Sequence, residues 1–491
     1  LDFYKQINSF EIFRTINLKS YLHKDSVDET IDPIPDKFIV IYIPEGSGDL
    51  IYIGAGTFVF PISLKYDSAW FEELLAKVFL GDRKIITNNG KALARKIIEF
   101  GAAYEKVKII DVVLNEKIIR NGEVPLNSIT QQSIFKQYGF IDAPDLLLTV
   151  SQIYKVWIKQ KALKKRLGLG NIFELESKLL WVTARIEMTG MEIDVVSMLA
   201  YQEALLKQGS TGKEYKDIER YINLADGGDY RVRDEIQQLA TKTGRFNREL
   251  HRVKKDGPMR SFFIAPAGYK LISADYSAFE VRIIAGLADE QNLIDIFESG
   301  KDIYEEVARV IFNGFSLKPS ELRAIAKIIV VGINNGMTKY SIHEILTKSV
   351  ILVSLQDVQG FIAHYMRSFP DLFKWHKKTV IESRNNGYVA TIMGRRMIVT
   401  NSTTNNSIVN FPVQGTGSDG FKFALWRLDG ELRNLDARIV HILHDEIIVE
   451  AKEEIAGQVE VIVGDCMEKA FEQLKLGVPM HVVPDIGDTW G

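Results

Sequence analysis

The stretch 441–450, HILHDEIIVE, restricts the fold more than any other part of the chain. Ile442 and Leu443 precede, and Ile447, Ile448 and Val449 follow, a polar interruption made of His444, Asp445 and Glu446. β-Branched, apolar runs of this kind read as buried strands, and two of them so close in sequence pair as an antiparallel hairpin. The hairpin therefore carries two adjacent carboxylates at its turn. A turn favours Asp for its own sake, because the side chain bonds neighbouring backbone. On this stretch alone a structural acid and a functional one are equally good readings; a second acid in the same setting would decide between them.

Residues 269–288 supply that second acid. The strand YKLISAD delivers Asp275 at its end, and the helical pattern SAFEVRIIAGLAD begins directly after it. Alone, Asp275 would read as a helix N-cap. Together, Asp275 and Asp445 each close an apolar strand that has no use for a charge, and buried charges are costly unless paired or metal-bound. Two carboxylates facing each other across a sheet repel unless a divalent cation lies between them. Hard oxygen ligands suit Mg2+, which keeps waters and substrate phosphates as its other ligands, and the outline is that of a two-metal phosphoryl-transfer site.

Between the acids lies ELRAIAKIIVVGINNG (321–336). Arg323 and Lys327 are four residues apart and share a helix face with Val331 and Asn335. A solvated basic face is the ordinary reading of such a pair. The surrounding IAKIIVVGI is too apolar for an exposed helix, which predicts that Lys327 reaches a cleft, where the two cations could hold a triphosphate.

At 491 residues the chain exceeds one hydrophobic core, so two or three domains are expected. Its net charge of −3 gives no global sign of a nucleic-acid partner, so any anionic ligand must be held by local basic clusters. The single cysteine, Cys466, excludes an intrachain disulfide and a cysteine zinc site and fits a reducing compartment. No apolar run has the length of a membrane span, and LDFYKQINSF lacks the features of a signal peptide. The expected location is cytoplasmic, in a bacterium or a virus-infected cell, with an organelle as the alternative. The opening Leu1 reads as a processed product or a fragment.

Along the chain, 37–64 reads as a small sheet, and 67–80, 90–101 and 147–170 read as helices. The glycines at 168–171 mark a boundary, 173–194 reads as a helix capped by Gly190, 289–392 is mostly helical, and strands return at 438–450.

DYSAFEVR (275–282), RAIAKIIVVGINNG (323–336) and HDE (444–446), in that order, resemble motifs A, B and C of the family A DNA polymerases, the DNA polymerase I group. TKTGRF (241–246), MGRR (393–396), NFPVQGTGSDGFK (410–422), the 179–194 segment and the GDTW near the end are similar to further motifs of that family. The resemblance implies an α/β (α+β) right-hand fold of palm, fingers and short thumb behind a 3′–5′ exonuclease-like, RNase H-like domain. It places that domain at 1–170 and the polymerase domain at 171–491: thumb and approach to the palm at 171–268, palm at 269–288 and 396–491, fingers at 289–395. The implied activity is addition of dNTPs to a primer 3′-hydroxyl. Asp275 and Asp445 would be the catalytic, metal-binding acids, with the Tyr276 backbone as a further ligand and Glu446 a supporting acid. Two Mg2+ ions are implied, with Mn2+ as substitute. Arg323, Lys327, Val331, Asn335, Tyr276, Ser277 and Glu280 would meet the dNTP, Lys327 in a catalytic role and Glu280 as the gate against a 2′-hydroxyl. Arg245, Arg395, Arg396, Asn410, Gln414 and His444 would meet primer-template DNA. A monomer, with a processivity or replication factor as helper and no membrane partner, completes the expectation.

The chain also departs from that pattern. Motif B usually has an aromatic at Val331 and a tyrosine at Asn335, so stacking surface is lost and discrimination among sugar types should change. Only some 50 residues separate Asp194 from Thr243, so the thumb should be short and phosphate contacts few. The N-terminal section has IVIYIPEG where an Asp-x-Glu would stand, leaving Asp111 as a leftover acid and proofreading absent. Two alternatives remain: use of RNA templates, and a catalytically silent DNA-binding or scaffolding relative, against which the intact Asp275, Asp445, Arg323 and Lys327 speak.

Overall fold

The computed structural model describes residues 38–44, 50–55, 58–63, 84–101, 107–140, 146–225, 227–255, 257–312, 318–334, 336–349 and 353–491. The helix expected at 67–80 and the site residue Asn335 lie outside the described residues.

The first unit is a five-stranded sheet of β1 (Phe38–Tyr42), β2 (Leu50–Ala55), β3 (Phe58–Ser63), β4 (Lys84–Thr87) and β5 (Lys108–Asp111), with helix α1 (Gly90–Phe100) before β5 and α2 (Val112–Ile119) after it. The order is β3-β2-β1-β4-β5; β1 runs antiparallel to β2 and parallel to β4. FIVIY is apolar throughout because β1 is covered on both faces. Ile39 and Ile41 pack with Leu93 and Ile97 of α1. Phe38 and Val40 face the other way, where, after α3 (Gln131–Gln137), helix α4 (Leu146–Leu167) sets down Val150, Ile153 and Trp157.

Helix α5 (Gly170–Thr189) begins after a break at Gly168 and Leu169 and belongs to two cores at once. Ile172, Leu180 and Ala184 pack into the first unit, while Leu175, Leu179, Val182 and Ile186 enter the larger core beyond it. Between the short paired strands β6 (Met191–Glu192) and β7 (Arg231–Val232) stand two helices, α6 (Val195–Lys207) and α7 (Lys213–Leu224).

β8 (Tyr269–Tyr276) runs one residue past Asp275, and α8 (Phe279–Ala288) starts later than the sequence pattern places it. Among the described residues six helices follow: α9 (Gln291–Glu298), α10 (Ile303–Ile311), α11 (Pro319–Asn334), α12 (Lys339–Lys348), α13 (Leu355–Ser368) and α14 (Pro370–Asn386). The hairpin β9 (Tyr388–Ala390) and β10 (Arg396–Ile398) leads to α15 (Asn405–Leu432), then β11 (Ala437–Leu443), β12 (Glu446–Lys452), α16 (Ala456–Lys469) and β13 (Val482–Gly487). Helix α15 is buried nearly all round, which is why its apolar residues mark no single face.

The second sheet has the order β11-β12-β8-β13 and is antiparallel throughout. Its two faces follow the period of two. Ile272, Ala274, Tyr276, Ile447 and Val449 pack into the core with α15 and α16, whereas Leu271, Val440, Leu443 and Ile448 pack with Phe263 and Trp490. Among the described residues no helix is long and apolar enough to cross a membrane.

Candidate active site

The hairpin turn is as short as a turn can be. Leu443 pairs with Glu446, so His444 and Asp445 alone make the bend, and His444 takes the left-handed conformation at φ 54°. Such a conformation is disfavoured for a side chain with a Cβ and persists where the surroundings enforce it. Glu446 in turn lies opposite Asp275 on β8, which brings Asp275 beside the turn that carries Asp445. Asp275 is no helix cap: that position is held by Ala278, left-handed at φ 51° and without a side-chain bond.

The two acids share one environment. Burial, and then the adjacent Asp275, pushes the Asp445 carboxyl up to about 7. Oδ1 of Asp275 is buried without a hydrogen-bond partner, and its Oδ2 has Lys255 Nζ at 3.4 Å. A cation between them would meet the unpartnered oxygen and replace the proton that burial favours. Among the described residues no group of three or more His, Cys, Asp or Glu converges as a metal cage, so other ligands would come from backbone or substrate.

Glu446, expected as a supporting acid, stands opposite Asp275 and is held by other partners. Its oxygens accept from Arg260 at 3.1 and 3.0 Å, and Trp490 Nε1 donates to it at 2.9 Å. A carboxylate so engaged fixes the hairpin. His444 packs on His251 with ring centroids 5.3 Å apart. Burial, then the Arg245 cation, pushes its imidazole down.

In front of Asp445 opens a cleft of about 420 Å³ lined by Arg245, Glu280, Tyr304, Val331, Ser418 and His444 among others. Arg245 and Glu280 form an ion pair in its wall. The expected basic stripe approaches from α11. Arg323 and Lys327 lie 5.6 and 5.9 Å from the ring centre of Tyr304, so both cations stand beside an aromatic that lines the cleft. Arg323 also pairs with Asp302 at 2.8 Å, an exposed bridge worth little in water. Among the described residues no carboxylate pairs with the exposed Lys327.

Tyr276 lines the cleft, ties its hydroxyl to Met467 O at 2.7 Å and stacks on Phe279 at 4.5 Å. The Ser277 backbone is likewise used, its N–H on His481 O at 2.9 Å and its carbonyl on Arg282 Nε at 2.9 Å. Asn410 and Gln414, one turn apart on α15, are half-buried. Arg396 lies over the ring of Tyr388 at 4.0 Å.

Arg395 contradicts its expected contact with DNA. It is 2% exposed, pairs with Glu176, and donates to Asp419 Oδ1 at 2.7 Å, with Lys422 closing the same cluster at 2.7 Å from Glu176. A guanidinium enclosed by two carboxylates binds the core together and reaches no ligand.

Sequence reasoning missed Tyr304, Arg260 and Lys255. Tyr304 reads as one more apolar residue of a helical stripe, and Arg260 has no neighbour in sequence that marks its pairing with Glu446. Trp490 stands in a recognised motif, but nothing in the sequence ties its indole to Glu446.

Residues 176–491 match the model of the family described as DNA polymerase family A. The thermostable DNA polymerase I of Thermus thermophilus is 33% identical over 281 residues, which cover 53% of this chain and 32% of that protein. DNA polymerase I of Lactococcus lactis is 26% identical over 455 residues, covering 84% of this chain and 50% of the relative. The chain thus spans about a third to a half of the curated relatives it matches. A solved structure, the polymerase domain of Pol1 from M. smegmatis in complex with DNA primer-template and dNTP, aligns with a TM-score of 0.77 at 20% identity, over 92% of this chain and 95% of that one. The fold is therefore that of this polymerase domain.

Proposed function

Because the chain belongs to DNA polymerase family A, we propose that it extends a primer 3′-hydroxyl with dNTPs under the direction of a DNA template. The observation that carries this reading is the pair Asp275 and Asp445, brought together by β8 and the β11–β12 turn with an unpartnered oxygen and an elevated carboxyl. Family A polymerases generally use divalent metal ions. We assign Mg2+ here, held by Asp275, Asp445 and the Tyr276 backbone, with Mn2+ as substitute. When bound, such ions activate the primer hydroxyl and stabilise the leaving oxygens.

The chain's own residues do the rest. Arg323 and Lys327 hold the triphosphate and offset the charge that develops as pyrophosphate leaves. Glu280, tethered by Arg245, stands where the sugar enters and excludes a 2′-hydroxyl. Arg245, Arg396, Asn410, Gln414 and His444 meet primer and template; a neutral His444 does so as a hydrogen-bonding group. Polar donors suit this task because minor-groove acceptors are shared by all base pairs. Residues 171–268 act as the thumb, 289–395 as the fingers and the second sheet with α15 as the palm.

Proofreading is absent from this reading. Asp111, the leftover acid, accepts from the backbone N–H of Gly90, Val113 and Leu114 at 2.7, 2.8 and 2.9 Å, so it caps two helices. A carboxylate used in this way is unsuited to holding nuclease metals.

A second reading, use of RNA templates, draws on Val331, whose small side chain leaves the cleft open where a ring would fill it. Primer extension with Mg2+ on poly(dA) and poly(rA) templates tests both. Extension on poly(dA) supports the first, comparable extension on poly(rA) adds the second, and none on either defeats the proposal.

A further inference from the structure

Among the side chains by which the first unit holds the polymerase section is Asn121. Asn121, 4% exposed, follows α2; its Nδ2 donates to Lys242 O at 2.6 Å and to Arg396 O at 2.9 Å. Its carbonyl accepts from Ile398 N at 2.8 Å. One residue therefore joins the 241–245 turn to strand β10, segments far apart in sequence. Beside it the backbones run so close that a Cβ on Gly122, which sits at φ 88°, would lie 2.7 Å from Met397 Cγ and 2.8 Å from Ile398 O.

The clasped turn ends in a cleft residue. Gly244 N–H donates to Thr241 O at 2.9 Å, Arg245 N–H to Thr241 Oγ1 at 3.1 Å, and Ala240 N–H to Arg245 O at 3.2 Å. Gly244, at φ 80°, rests on the guanidinium of Arg395, where a Cβ would come within 2.6 Å of Cζ. Arg395 is itself held by Glu176 and Asp419. Of the turn's outward groups Thr241 and Lys242 are exposed, so the Asn121 amide and the Arg395 plane are what fix it. Arg245, next in the chain, then reaches Glu280 in the cleft wall.

We propose that Asn121 is a positioning residue for primer-template binding: by holding the Lys242 and Arg396 carbonyls it sets Arg245 and Arg396 in register with the duplex. This rests on the functional reading above. It gives the N-terminal unit a part in DNA synthesis that needs no nuclease chemistry.

The test is a double-mutant cycle on the Kd for primer-template DNA, with wild type, Asn121→Ala, Arg245→Ala and the double variant. Asn121→Ala strands two carbonyls and should raise Kd about tenfold. In the Arg245→Ala background the same change should cost less than threefold. Asn121→Ser, which keeps one donor, should fall between and serves if the alanine variant does not fold. Lys91→Ala is the control. Lys91 donates to Ile236 O and Glu187 Oε1, both at 2.6 Å, and so anchors the same unit away from the turn. Its effect should add to that of Arg245→Ala. Additive losses for Asn121 and Arg245, or coupling as large for Lys91, overturn the proposal while leaving the polymerase reading in place. Wild-type protein that fails to bind primer-template overturns both.

Discussion

Replacing Asp445 by Asn should stabilise the metal-free protein. In the folded chain the carboxyl is pushed from its ordinary 3.8 up to about 7, first by burial and then by Asp275. The difference of about 3 pH units corresponds to about 4 kcal/mol at 1.36 kcal/mol per unit. The side chain is only half-buried, and screening brings this to about 2 kcal/mol. The sign follows from proton counts. Below about pH 4 both states hold the proton and nothing is lost. Between about 4 and about 7 the unfolded chain ionises while the folded one keeps its proton, so stability falls as pH rises; above about 7 the cost is constant. Guanidinium unfolding of both proteins in EDTA, at pH 5 and pH 8, measures it. At pH 8 the Asn variant should be more stable by about 2 kcal/mol, and at pH 5 the gap should shrink to about 0.8 kcal/mol. Millimolar Mg2+ should stabilise wild type and leave the variant almost unmoved, because binding the folded state alone is what shifts stability. Equal or lower stability of Asp445→Asn at pH 8 without metal would refute the reasoning.

Val331→Phe should restore a ring beside Tyr304, lowering KM for dNTPs by about tenfold with kcat within about threefold, and shifting the dATP to ddATP incorporation ratio; steady-state kinetics read both. Arg395→Ala leaves the buried Asp419 with the Thr391 hydroxyl and the buried Glu176 with Lys422 in place of the guanidinium, and should cost about 3–5 kcal/mol by denaturant unfolding. A 3′-labelled primer incubated with the protein and Mg2+ should remain intact on a sequencing gel, and Asp111→Ala should lower stability by about 1 kcal/mol without changing that result.

The parts of the site that sequence could reveal are those written in short range. The β11–β12 hairpin was legible because apolar pairs on either side of HDE leave no other pairing, and the strand before Asp275 because YKLISAD alternates into a helix signal. Spacing alone aligned Arg323, Lys327 and Val331. What sequence could not reveal depends on partners brought from afar. Glu446 looks like its neighbour Asp445, yet Arg260 and Trp490 consume it. Arg395 stands beside Arg396 in MGRR, yet Glu176, more than two hundred residues earlier, holds the first in the core while the second is half-buried over Tyr388. Tyr304 carries no mark in its own helix of its place beside the α11 cations and in the cleft wall.

The most direct measurement is single-turnover incorporation of one dNTP on a primer-template by rapid quench, comparing wild type with Asp275→Asn and Asp445→Asn at saturating DNA and Mg2+. Loss of at least a thousandfold in rate for each variant, with DNA affinity within about threefold of wild type, is the predicted result. A variant at either position that incorporates at the wild-type rate contradicts the account.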